Sequence, residues 1–173
     1  VTPYYNTEIF MSTEILDNSF KESFTLEQIL ENISDKYDKR ISTIHEELED
    51  IFTIDQYQLV DENIKTVSKL HYWISKLAVE RRILLKMKRK RDSLFSQLYE
   101  DYREGKNGKG HISLTKDGIE AYINKDTTFQ KWDSMYQEQN NIVEYIDQIC
   151  WALKQTKMQA LKNIQESKRV EGS

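Results

Sequence analysis

Leu26, Leu30, Ile33, Tyr37, Ile41, Ile44, Leu48 and Ile51 recur at spacings of three and four, the period of a helix that buries one face. Thr25 and Gln28, three positions apart just before this run, form a capping-box pattern and mark its start. The remaining positions give the helix an acidic outer face. A second apolar stripe, Val60, Ile64, Val67, Ile74, Leu77, Leu84, Met87, Leu94, Leu98 and Tyr102, predicts a helix from Asp55 as N-cap to about Arg103. At 1.5 Å per residue it would be roughly 70 Å long, more than a compact domain of this size spans, so a break near its middle or an extended oligomer is expected.

Residues 104–115, EGKNGKGHISLT, hold three of the five glycines and predict a loop. Beyond it, Thr115 or Asp117 can cap a short helix containing Ile119, Tyr122 and Ile123. Asp126 or Thr127 can then start the last one. This last helix has the most regular pattern in the chain: Phe129, Trp132, Tyr136, Gln139, Val143, Ile146, Cys150, Leu153, Lys157, Ala160 and Ile164 alternate strictly by three and four. The spacing is that of a coiled-coil seam, with Gln139 and Lys157 as polar interruptions that set register. Phe129, Trp132, Tyr136, Val143, Ile146, Cys150, Leu153 and Ile164 are the candidate oligomerisation residues. No segment requires a strand, because the β-prone stretch 111–115 has no partner. The expected fold is all-α: long antiparallel helices in a bundle that completes its core by oligomerisation. Residues 1–24, without sustained periodicity, read as a poorly ordered acidic arm before a helical domain over 25–173.

Composition agrees with long helices around a thin core. Of 173 residues, 38% are hydrophobic and 31% charged, and Pro3 is the sole proline, so helices can run without proline breaks. No stretch approaches the roughly 20 apolar residues of a membrane span, and no signal-peptide pattern opens the chain. With one cysteine, Cys150, no disulfide can form within the chain. A cytoplasmic protein is expected.

The chemistry of catalysis is missing. His45, His71 and His111 lie far apart, and HEEL at 45–48 lacks the second histidine of the helical zinc motif, so no metal site is indicated. Gly105 and Gly110 are followed by His111 rather than the lysine and hydroxyl of a phosphate-binding loop. The expectation is a protein without catalytic residues, metal or cofactor.

Charge is distributed unevenly. Residues 1–55 carry 13 acidic and four basic side chains, residues 81–110 carry four and ten, and the whole chain is −4. The extreme is RRILLKMKRKR at 81–91, seven bases and no acid. On a helical wheel Arg81, Arg82, Lys86, Lys88, Arg89 and Lys90 spread over one broad face, opposite Ile83, Leu84, Met87, Leu94 and Leu98. Leu85 falls within the basic arc. Arg91 projects into the apolar arc, so it either snorkels to solvent or lies in an interior cavity of an oligomer. Phe95, Tyr99 and Tyr102 follow, then Arg103, Lys106 and Lys109. Interleaved cations and aromatic rings suit single-stranded nucleic acid, since charge follows the backbone while rings stack on bases. Phe95 and Tyr102 read as core, and Tyr99 as the stacking candidate. No groove-reading signature is present, so weak sequence preference is expected.

Four segments carry a family resemblance: EELEDIFTID (46–55), SKLHYWISKL (68–77), YREGK (102–106) and CWALKQTKMQALKNIQESKRVEG (150–172). Across roughly residues 41–172 the chain resembles the UvsY-type recombination mediators of T4-like phages. The resemblance implies a small helical protein that forms a closed ring and binds single-stranded DNA. It further implies a protein that helps load a strand-exchange recombinase in place of the single-strand-binding protein, in the cytoplasm of an infected bacterium. In that family a Lys/Arg pair precedes the aromatic–glycine turn by about two turns. Here Gln97 and Tyr99 stand near those positions and the cations lie upstream, at Lys86 to Arg91. The competing expectation is a scaffolding coiled-coil protein whose basic helix docks an acidic protein surface.

Overall fold

Local signals start and stop most of the helices where the pattern places them. In the computed structural model, which describes residues 25–48, 51–55, 57–106 and 115–171, helix α1 spans Leu26–Glu46. Thr25 Oγ1 accepts from Gln28 N at 3.3 Å while Gln28 Oε1 accepts from Thr25 N at 2.9 Å, the reciprocal capping box. Helix α2 spans Leu59–Glu104, 46 residues without interruption. Gly105 ends it with φ 67° and ψ 31°, a left-handed cap that a residue without Cβ adopts at no steric cost. Helix α3, Lys116–Ile123, follows, and Asp126 caps α4, Thr127–Ala152, by accepting from Thr128 N and Phe129 N. A π-helical turn, Leu153–Lys157, then leads into α5, Met158–Glu171. Among the described residues every regular element is helical, and the fold is an all-α bundle. The arm expected over 1–24 and most of the glycine loop, Lys109 included, lie outside the described residues.

α2 packs chiefly on α4 and α1 also packs on α4. Arg91 meets Asp133 and Lys157 meets Glu62, so α4 and the π-turn run back along α2. Arg40 meets Glu80 while Lys76 meets Glu47, so α1 is antiparallel to α2 as well. The main core joins Ile33, Tyr37 and Ile44 of α1, Trp73, Leu77 and Met87 of α2, and Met135, Ile142, Val143, Ile146 and Ile149 of α4. A second cluster, Leu98, Tyr102, Ile119, Ile123 and Phe129, closes the end where the chain turns back.

Three sequence expectations change. First, of the two expectations for α2, the break near its middle is absent, and other helices lie along its length. Its N-cap is Gln58, while the Asp55 carboxylate accepts from Tyr57 N at 2.8 Å and stays outside the helix. Second, the apolar positions at the start of α2 do not enter the core. Val60, Ile64, Val67 and Ile74 are 42% to 70% exposed, whereas Glu62, Thr66, Trp73, Leu77 and Glu80 are buried. Third, the seam of the last helix holds its strict alternation only to Lys157. At the π-turn Met158 N–H bonds to Leu153 O, five residues back, which adds one residue to a turn. Leu161 then becomes fully buried, and Ala160 and Ile164 are left half-buried.

Both polar interruptions of the seam are buried and bonded. Gln139 Nε2 donates to Glu80 Oε2 at 2.6 Å, and its Oε1 accepts from Arg40 Nη1 at 3.1 Å. Arg40 Nη2 in turn donates to both Glu80 carboxylate oxygens at 2.9 Å, so one network ties α1, α2 and α4. Lys157 Nζ donates to Ile51 O at 2.7 Å and lies 3.2 Å from Glu62 Oε2. A shift of register would strand these groups in the core, where an unpaired polar group costs roughly 1–3 kcal/mol.

Candidate nucleic-acid interface

The basic segment lies in the middle of α2, held there by Leu77, Met87 and Leu98 in the core. Arg82, Lys86, Lys88 and Arg89 are exposed, and among the described residues no acidic side chain pairs with them. Arg82, Lys86 and Arg89 succeed one another at i, i+4 and i+7, so they stand one above another on one side of the helix. Lys88 projects to a different side. Lys90 is exposed and lies over the Trp132 ring, 5.7 Å from its centroid, which draws an α4 aromatic into the basic patch. Leu85, placed by the wheel within the basic arc, is 54% exposed.

Two cations of the segment are engaged by α4. Arg81 Nη2 lies 3.1 Å from Asp147 Oδ1 with both groups more than half exposed, a contact that water screens to less than about 1 kcal/mol. Arg91 is held more firmly. Its side chain is 28% exposed, Nε lies 2.8 Å from Asp133 Oδ1, and the guanidinium covers the Tyr136 ring at 4.8 Å. The carboxylate sits off the N–H direction, so this is an ion pair rather than a hydrogen bond at Nε. Arg91 is thus neutralised at the α2–α4 contact within one chain.

Farther along α2, Tyr99 is half-buried and stacks on Phe95 at 6.4 Å, and Phe95 tilts against Phe129 at 5.8 Å. Tyr102 is buried beside Tyr122. Arg103 and Lys106 are exposed, and both reach Glu104. The hydrogen bond from Lys106 holds the Glu104 carboxyl below its usual range and the Lys106 ammonium above its own. The helix-end cations are therefore partly compensated, unlike Arg82, Lys86, Lys88 and Arg89.

Of the candidate oligomerisation residues, all but Ile164, which is half-buried beyond the π-turn, pack within the chain. Val143, Ile146, Cys150 and Leu153 are covered by α2 and α1, Phe129 belongs to the end cluster, and Trp132 and Tyr136 are half-buried against the basic segment. Burial, with Asp147 nearby, pushes the Cys150 thiol up, so it is not an activated nucleophile. Sequence reasoning missed Asp133, Asp147 and the role of Trp132 beside Lys90. Their link to 81–91 depends on the antiparallel register of α4, which spacing within one helix does not carry.

Among the described residues no group of His, Cys, Asp or Glu could hold a metal ion, and no helix is long and apolar enough to cross a membrane. No protein-family model and no curated protein matches the chain. Among solved structures it is similar to the crystal structure of the bacteriophage T4 recombination mediator protein UvsY, with a TM-score of 0.66 and 20% identity. The match covers 76% of this chain and 97% of that one. At this identity the likeness is one of fold.

Proposed function

We propose that this protein is a non-enzymatic recombination mediator that binds single-stranded DNA through α2. On this reading it promotes loading of a strand-exchange recombinase in place of single-strand-binding protein. The observation that carries the reading is the group of cations Arg82, Lys86, Lys88 and Arg89, exposed and without acidic partners among the described residues. Lys90 and Trp132 adjoin it. In a chain of net charge −4, such a patch attracts phosphates rather than adding general solubility. The fold likeness to a protein titled a recombination mediator supports the same reading. Arg103, Lys106 and Lys109 extend the path as helpers, and Tyr99 and Trp132 offer ring faces to bases.

The test is a salt titration of a fluorescent single-stranded oligonucleotide. With about five phosphates neutralised, log affinity should fall against log salt with a slope of roughly −3.5, at about −0.7 per contact. Lys86→Glu with Arg89→Glu should flatten that slope and weaken binding while leaving the assembly state intact. Absence of binding at low salt would remove the proposal. Loss of assembly with DNA binding unchanged would instead favour docking of the basic helix on an acidic protein surface.

A further inference from the structure

α4 places a carboxylate at each end of the basic segment, and the two pairs are built differently. Arg81, the first cation, reaches Asp147 through a single bond, Nη2 to Oδ1 at 3.1 Å, with both side chains more than half exposed. Arg91, the last, is 28% exposed, lies 2.8 Å from Asp133 and covers the Tyr136 ring. Their places on α2 differ as well. At about 100° per residue Arg91 shares the side of Trp73 and Leu98, which face the core. Arg81 lies within about 20° of Lys88, seven residues on, so these two exposed cations make a second row about 10 Å long beside the row Arg82, Lys86 and Arg89.

We infer that Arg81 is a further strand contact, held by Asp147 until a phosphate displaces it, and that Asp133 keeps Arg91 off the strand. The inference rests on the reading of α2 as a surface for single-stranded DNA and names which of its outermost cations serve it. An exposed pair such as Arg81 with Asp147 is screened by water and stabilises little. A phosphate can accept two parallel bonds from the same guanidinium where Asp147 accepts one. The exchange therefore favours the strand, and Arg81 then joins Lys88 in the second row. At Arg91 the exchange runs the other way. Releasing it would uncover the Tyr136 ring, break a half-buried ion pair and leave the Asp133 carboxylate facing the incoming phosphate. Asp133 thus limits the number of phosphates that the segment neutralises.

Variants of the full chain that remove both members of a pair keep the net charge and isolate each contact in the salt titration. Arg81→Gln with Asp147→Asn should flatten the slope by about 0.7, the share of one phosphate. Both side chains are exposed, so the circular dichroism spectrum should not change. Arg81→Lys, which keeps the charge, should keep the slope. Arg91→Gln with Asp133→Asn should leave the slope at that of the natural chain. In the natural chain itself, arginine modification by phenylglyoxal is read by mass spectrometry: a bound oligonucleotide should protect Arg81 and leave the reactivity of Arg91 as it was. An unchanged slope for the first pair, a slope flattened by one contact for the second, or protection of Arg91 in place of Arg81 would overturn the inference while DNA binding by α2 still stood. A natural chain that binds no oligonucleotide at low salt would remove both.

Discussion

Two buried polar side chains have consequences that single substitutions can read. Lys157 is almost wholly buried between Glu62 and the Ile51 carbonyl, so Lys157→Met should cost about 3 kcal/mol by leaving the Glu62 carboxylate with only the exposed Lys65, 3.6 Å away, as its counter-ion. Replacing both, Lys157→Met with Glu62→Met, should return most of that loss; urea unfolding of the three chains measures it. Tyr37, whose hydroxyl donates to Met87 Sδ at 3.9 Å, is pushed up to about 12 by burial. A raised tyrosine favours the folded state fully below its ordinary value near 10, and that contribution is lost as pH rises through about 12. Stability of the natural chain should therefore fall, by on the order of 2 kcal/mol, relative to Tyr37→Phe between pH 10 and 12. Thermal melts across that range test the sign. Gln139 and Lys157 were legible in the sequence as interruptions of an apolar seam. Their partners Glu80 and Glu62 were not, because both look like solvent positions on a helix whose rotation is set by what packs against it.

For the elements, the π-turn is the sharpest feature. Leu153, Lys157 and Leu161 are spaced by four and four and all are buried, one residue more than two α-turns require. Deleting Gln155, which is exposed, should restore an unbroken α-helix with the same faces inward and leave stability within about 1 kcal/mol. Inserting an alanine there instead should rotate α5 by about 100° and expose Leu161, with a clear drop in melting temperature. The existence and approximate ends of α1, α2, α3 and the last rod followed from periodicity and caps. The orientation of α2 did not: its first half carries two competing stripes, and the less apolar one, with Glu62, Thr66 and Glu80, is buried. Trp73 and the bonds that Glu80 makes to Arg40 and Gln139 outweigh the branched aliphatics left outside.

At the level of the molecule, α1 contributes Ile33, Tyr37 and Ile44 to the main core, so the acidic side chains it carries belong to the bundle. Residues 1–24 carry four acidic side chains and one basic one, the opposite balance to that of the segment 81–91. Their removal should tighten oligonucleotide binding at low salt if they shield the patch, and unchanged affinity in the anisotropy titration would count against shielding. The basic patch itself was legible from charge alone. Which of its members are free was not, since Asp133 and Asp147 arrive from another helix. Because α2 runs unbroken from Leu59 to Glu104, Arg82, Lys86 and Arg89 stand on a single rod that spans about 10 Å between the first and the last of them, with no hinge between. A polyanion that engages all three must conform to that fixed spacing, so its affinity should depend on where its charges lie and not on their number alone.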